Sequence, residues 1–139
     1  MLNKKVLHII GSYLSFIVLF LLWLGLYSKG FWFLSGAAFM AILVPIVDSI
    51  LPLDTESFDA KEFTGNETLI LNASPALYVL LHVITIYLYL PILNSLTVGE
   101  EVMAAISLGL SSGIAISACH ELIHCKARSF RHSVGKLGL

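Results

Sequence analysis

Residues 101–125 read EVMAAISLGLSSGIAISACHELIHC, and the reading of this stretch decides the fold. No Asp, Glu, Lys or Arg stands between Val102 and Cys119, where small residues alternate with Ile and Leu. An apolar run of about 20 residues is what an α-helix needs to cross the ~30 Å hydrocarbon core of a bilayer. The run ends at His120 and His124, and a basic stretch follows with Lys126, Arg128, Arg131 and Lys136. Residues four apart on a helix are neighbours on one face, so both imidazoles can point at a single ion.

The rest of the chain extends the membrane reading. Of its 139 residues, 58% are hydrophobic and only 12% charged, with a mean hydropathy of +0.90. Soluble domains carry about 25% charged residues. Apolar segments are expected at about 6–27, 31–51, 75–93 and 102–121, with a polar loop over about 52–74. The predicted fold is therefore an all-α integral membrane protein with four transmembrane helices, read as one domain over 1–139. Lys4 and Lys5 before the first segment resemble a signal n-region, but the h-region of a signal is about 7–15 residues, and this run is longer. A net charge of −1 gives no general footing for nucleic acid, and membrane lipid is the surrounding partner.

Lys and Arg steer insertion. With the N-terminus inside, Lys4, Lys5, Lys61, Lys126, Arg128, Arg131 and Lys136 all fall on the cytoplasmic side and only Lys29 outside. This places the histidine pair on the cytoplasmic face. It also places the sequons at Asn66 and Asn72 inside, where glycosylation is not expected.

Several other residues are candidates for chemistry or for plain structure. Imidazole suits zinc, iron, copper and nickel, so the pair alone does not choose a metal. The two cysteines, Cys119 and Cys125, lie about 240° apart on a straight helix and are read as reduced small residues. Ala105, Gly109, Gly113 and Ser117 form a ridge of small residues, a pattern that ordinarily means close helix packing in lipid and otherwise a cleared lane for an apolar substrate. If the helix continued past the pair, Arg131 would return to within about 20° of His120, where it could hold an acidic partner, and His132 would lie about 120° away as a weaker ligand candidate. The alternative for the basic run is ordinary anchoring at the membrane surface. His82, mid-span in LYVLLHVITIY, is an intramembrane ionisable residue and so a functional candidate, most simply as a neutral hydrogen-bonded ring. Asp48 closes the second segment and is a candidate to accept a hydrogen bond from a ligating histidine.

The stretch GLSSGIAISACHELIHCKARSFRH resembles the first histidine box of the integral-membrane alkane monooxygenases, within the membrane fatty acid desaturase and hydroxylase superfamily. VPIVDSILPLD is similar to the Pro-x-x-Asp segment that closes the second helix of that family, and His82 falls where its third helix often has a histidine. Cys125 departs from the family, which usually has a basic residue directly after the second histidine. The resemblance implies a six-helix bundle of which this chain is the N-terminal part, and a non-haem di-iron centre on the cytoplasmic side of, most simply, a bacterial inner membrane. It implies that O2 supplies an oxygen atom inserted into the terminal C–H bond of an alkane or similar apolar substrate, with electrons from rubredoxin or a similar protein. Carried over residue by residue, His120 and His124 would be iron ligands, and Glu121 a neighbour of the metal rather than a ligand.

Two histidines cannot hold two irons, and the later histidine clusters of the family do not occur in the chain, so it is expected to be inactive alone. Other readings stay open. His-Glu-x-x-His is also the zinc metalloprotease motif, with Glu121 as general base. A membrane lipid desaturase shares box, fold and metal. A small non-enzymatic membrane protein with merely interfacial histidines is the remaining alternative.

Overall fold

The computed structural model describes residues 4–50 and 63–138. Its elements are α1 (Lys4–Tyr13), α2 (Phe16–Ser28), a 3-10 segment (Gly30–Leu34), α3 (Ser35–Ala38), a π-helical turn (Phe39–Leu43) and α4 (Val44–Ile50), followed by α5 (Gly65–Tyr89), a 3-10 extension (Leu90–Ser95), α6 (Val98–Ile123) and α7 (Phe130–Leu137). No strand occurs among the described residues. Four stretches are long and apolar enough to cross a membrane: His8–Ser28, Gly30–Ile50, Gly65–Ser95 and Val98–Ile123. The protein is all-α, with the expected number of such helices. Phe20, Ile84, Ile106 and Ile116 are among the large side chains facing outward, as suits a bundle whose surroundings are hydrocarbon.

The elements depart from smooth hydropathy in three places. The sequence sets the third span to begin near Pro75 after a polar loop over about 52–74. Residue 51, the end of the second expected segment, and residues 52–62 of that loop lie outside the described residues, and 65–74 are helical. Thr64 starts this helix early: its N–H and hydroxyl both donate to Glu67 Oε2, at 2.7 and 2.9 Å, neutralising orphan donors of the first turn. The first span is broken at Leu14–Ser15, where Ile17 N–H bonds to Leu14 O and Val18 N–H to Ser15 O with the tighter i→i−3 spacing. The hydroxyls in GSYLS compete for backbone groups, and Ser12 Oγ donates to Ile9 O at 2.7 Å. The second span changes pitch twice, from 3-10 to α to π, just before Pro45.

A serine from α6 holds the first of those changes. Ser107 Oγ donates to Phe33 O at 2.6 Å and accepts from Ala37 N–H at 3.2 Å. These are the two backbone groups that an α-helical rung would pair with each other, so the hydroxyl is inserted into the ladder. Further cross-links fix the neighbouring helices: Tyr89 Oη donates to Leu22 O at 2.9 Å and Trp23 Nε1 to Thr85 Oγ1 at 2.8 Å. At the end opposite the histidines, Glu100 accepts from Thr97 N–H through Oε2 and from Gly30 N–H through Oε1, both at 3.0 Å. One carboxylate thus joins both interhelical turns.

After α6 the chain reverses instead of continuing. Arg128 takes a left-handed φ of 67°, uncommon for a residue other than Gly. Ser129 then caps α7, its Oγ accepting from His132 N–H at 3.2 Å. The new helix runs antiparallel to α6, with His132 beside Ile123 and Gly138 against Cys119. Gly135 permits this approach, because a Cβ there would lie 2.9 Å from both Ile123 N and Leu122 Cβ. Val134, Cys119, Leu122, Val79 and Ala76 form the buried seam beneath it.

Replacing Gly135 with Leu should undock α7. Overpacking of this kind costs about 1–3 kcal/mol, so maleimide labelling of Cys119 in a Cys125→Ser background should accelerate by about ten-fold. Unchanged labelling would show that α7 does not shield Cys119.

Candidate metal-binding histidine pair

His120 lies in the last turn of α6 and His124 is its C-cap residue. The helix persists this far because the final turn tightens, with His124 N–H bonding to Glu121 O at 3.2 Å and Cys125 N–H to Leu122 O at 3.1 Å. Both side chains are exposed, and their ring centres stand 5.0 Å apart at an interplanar angle of 72°. A metal bound by two imidazoles at about 2.1 Å, with a near-tetrahedral angle, separates the ring centres by about 5 Å. That separation suits two ligands to one ion, and it is equally that of an edge-to-face ring contact. The carbonyl end of a helix also carries partial negative charge, which favours a cation there.

The described residues contain no group of three or more His, Cys, Asp or Glu able to hold a metal. His120 and His124 are thus two donors without a third beside them among the described residues. Glu121 faces a cavity of about 420 Å³ between α1, α5 and α6, shared with His8, Asn72 and Ser117. Asp48 sits on α4, exposed like every residue from 41 to 50, and no hydrogen bond joins it to either histidine. Because the chain reverses, Arg131 and His132 do not extend the face of His120. Arg131 Nη2 donates to Cys125 Sγ at 2.9 Å. His132 Nδ1 pairs with Ile123 O at 3.0 Å, and since a carbonyl only accepts, that nitrogen carries the proton.

His82 is placed apart from the pair, buried at 4% exposure within a chain of hydroxyls. Nδ1 lies 3.0 Å from Ser111 Oγ, and Nε2 lies 3.0 Å from Ser112 Oγ. The direction of every bond follows from one end. Ser112 spends its proton on Leu108 O at 2.8 Å, so it must accept from His82 Nε2–H. His82 Nδ1 then accepts from Ser111, and Ser111 accepts from Tyr78 Oη, 2.9 Å away. For a neutral imidazole this arrangement uses both nitrogens and leaves no lone pair for a metal.

No family model, curated protein or solved structure matches this chain. The case for chemistry rests on its own residues.

Sequence reasoning located the pair and His82 but missed Tyr78, Ser111 and Ser112. A usable signal was present: Tyr78 and His82 are four apart on one face, and a buried imidazole in an apolar span demands two partners. The Gly109–Gly113 ridge also differs from the packing expectation. Nothing lies within 4 Å of a Cβ built at either glycine, and α6 packs instead through Ala104, Ser107, Ser111 and Ala115. Hydroxyl donors drew that face inward, where the smaller glycines had no polar need to satisfy.

The tautomer is directly measurable. Nitrogen-15 NMR of the chain in lipid should show His82 protonated at Nε2 only, and Ser112→Ala should broaden or shift that proton. Observation of the Nδ1–H form would overturn the assigned direction. His82→Leu, which strands Ser111, should destabilise the bundle by about 1–2 kcal/mol in a reversible unfolding assay.

Proposed function

We propose that this chain forms part of a membrane non-haem di-iron monooxygenase, which inserts one oxygen atom from O2 into a terminal C–H bond of an alkane or similar lipid-soluble hydrocarbon. The observation that carries the reading is the pair of imidazoles set 5.0 Å apart at the end of an apolar membrane-length helix. The likeness of residues 109–132 to the first histidine box of alkane monooxygenases supports it.

The donor set fits two of the ligands that an iron centre requires, and His120 and His124 would hold it. Bound there, iron supplies with O2 the oxidising chemistry that an unactivated C–H bond demands and no side chain provides. The rest falls to the chain. The reversal at Cys125–Ser129 ends α6 and leaves both rings at its open end. The apolar outer surface of α6 lies in the same medium as a lipid-soluble substrate, so substrate reaches the site without entering water. The basic residues beyond the pair set that end at the cytoplasmic surface, in this reading of a bacterial inner membrane, where rubredoxin or a similar donor delivers electrons. Glu121 directs its carboxylate to the neighbouring cavity and contributes charge near the rings.

Titration of the purified chain with Co(II) as a spectroscopic probe, and with Fe(II), tests the reading. His120→Ala and His124→Ala should each weaken binding by about ten-fold or more, and Glu121→Gln should weaken it less than either. Equal binding by wild type and His120→Ala would sink the proposal. A zinc-dependent proteolysis abolished by Glu121→Gln would replace it with the metalloprotease reading.

A further inference from the structure

We infer that the groove between α5 and α7 is a binding site for an anionic phospholipid from the leaflet on the basic side of the protein, its phosphate held by Arg131 and an acyl chain laid along α5. The inference uses neither histidine of the pair and stands independently of the metal.

The groove encloses about 630 Å³, within the range of about 300–1,000 Å³ typical of small-molecule sites. One wall is a single face of α5, with Leu69, Ala73, Ala76, Leu77 and Leu80 recurring at spacings of three and four. From Leu69 to Leu80 this wall is about 16 Å long. Alanines in the middle hollow it out, and leucines at both ends supply apolar contact.

Polarity is confined to one end. Thr68 and Asn72 stand near the start of α5, and Arg131 meets them from the first turn of α7. A guanidinium has five N–H donors. The structure uses one, toward Cys125 Sγ, and no carboxylate among the described residues pairs with the group. Between Lys126 and Gly138 there are four basic residues and no acidic one. Such a juxtamembrane basic segment attracts anionic lipid. A planar fork beside two further hydrogen-bonding side chains matches a phosphate in geometry as well as sign. A small soluble anion would leave the apolar wall unmatched, and a neutral lipid would leave Arg131 unmatched. An anionic lipid satisfies both.

The test is photo-cross-linking of the full chain, reconstituted in phosphatidylcholine vesicles doped with phosphatidylglycerol bearing a diazirine on its acyl chain. The same label on phosphatidylcholine is the comparison. The phosphatidylglycerol probe should mark the Leu69–Leu80 face and Phe130 about ten-fold more than the phosphatidylcholine probe, as a charge-assisted hydrogen bond of about 1.5 kcal/mol would produce. Arg131→Gln should abolish that excess, and Ala73→Trp should reduce marking by both probes. Lys136→Gln, which does not line the groove, should retain it; continued protection of Cys119 would show that each variant is folded. Equal marking by the two probes in wild type would overturn the inference, and this arm needs no variant. Equal losses for Arg131→Gln and Lys136→Gln would reduce the effect to diffuse surface charge and also overturn it. Peptide cross-links in place of lipid would identify another protein segment as the occupant.

Discussion

The bundle depends on a requirement that every backbone and side-chain polar group buried in hydrocarbon find a partner within the protein. Ser107 shows the requirement at its sharpest. Its hydroxyl sits between Phe33 O and Ala37 N–H, so the second span keeps both groups satisfied where its helical pitch changes. Ser111 and Ser112, a turn further on, do the same for His82. The buried side chains of the described residues leave no nitrogen or oxygen unpaired. α6 is therefore the organiser: one stripe of small and hydroxylated residues accepts both the second span and α5. The apolar cluster of Leu22, Phe33, Tyr78 and Tyr89 fills the space between these polar ties.

The same helix ends in the histidine pair, and the two facts are connected. A helix held along its length by hydroxyl contacts presents its last turn, and with it the Cα positions of both histidines, in a defined orientation. The reversal into α7 covers Cys119 and Leu122 on one side of that turn while leaving His120 and His124 exposed on the other.

Much of this was legible in the sequence. Hydropathy gave the number of membrane-length helices, and the four-residue spacing gave the facing imidazoles. What escaped was directional. Hydropathy averages over a helix, so it did not separate the face of Ser107 and Ser111, which packs, from that of Gly109 and Gly113, which does not. Thr64-Gly-Asn-Glu67 is a capping signature that lies in a polar stretch, and composition outweighed it when the start of α5 was set at Pro75. The reversal after His124 hinges on Arg128, a residue with no intrinsic preference for a left-handed backbone. Only the docking of Gly135 against α6 makes that conformation worthwhile.

The interruptions are unevenly shared. The first hairpin contains a break at Leu14–Ser15, a 3-10 segment, a π-helical turn and Pro45, whereas α6 runs through 26 residues without one. α6 is therefore the stiff member, while bending falls to the first hairpin and, in the second, to α5 at Pro75 and its 3-10 extension. When bilayer thickness changes, the first hairpin will absorb the mismatch by tilting and kinking. α6 will respond as a stiff beam, and the separation along it between the turn that carries the surface imidazoles and the serines that hold His82 will stay constant from one membrane to another.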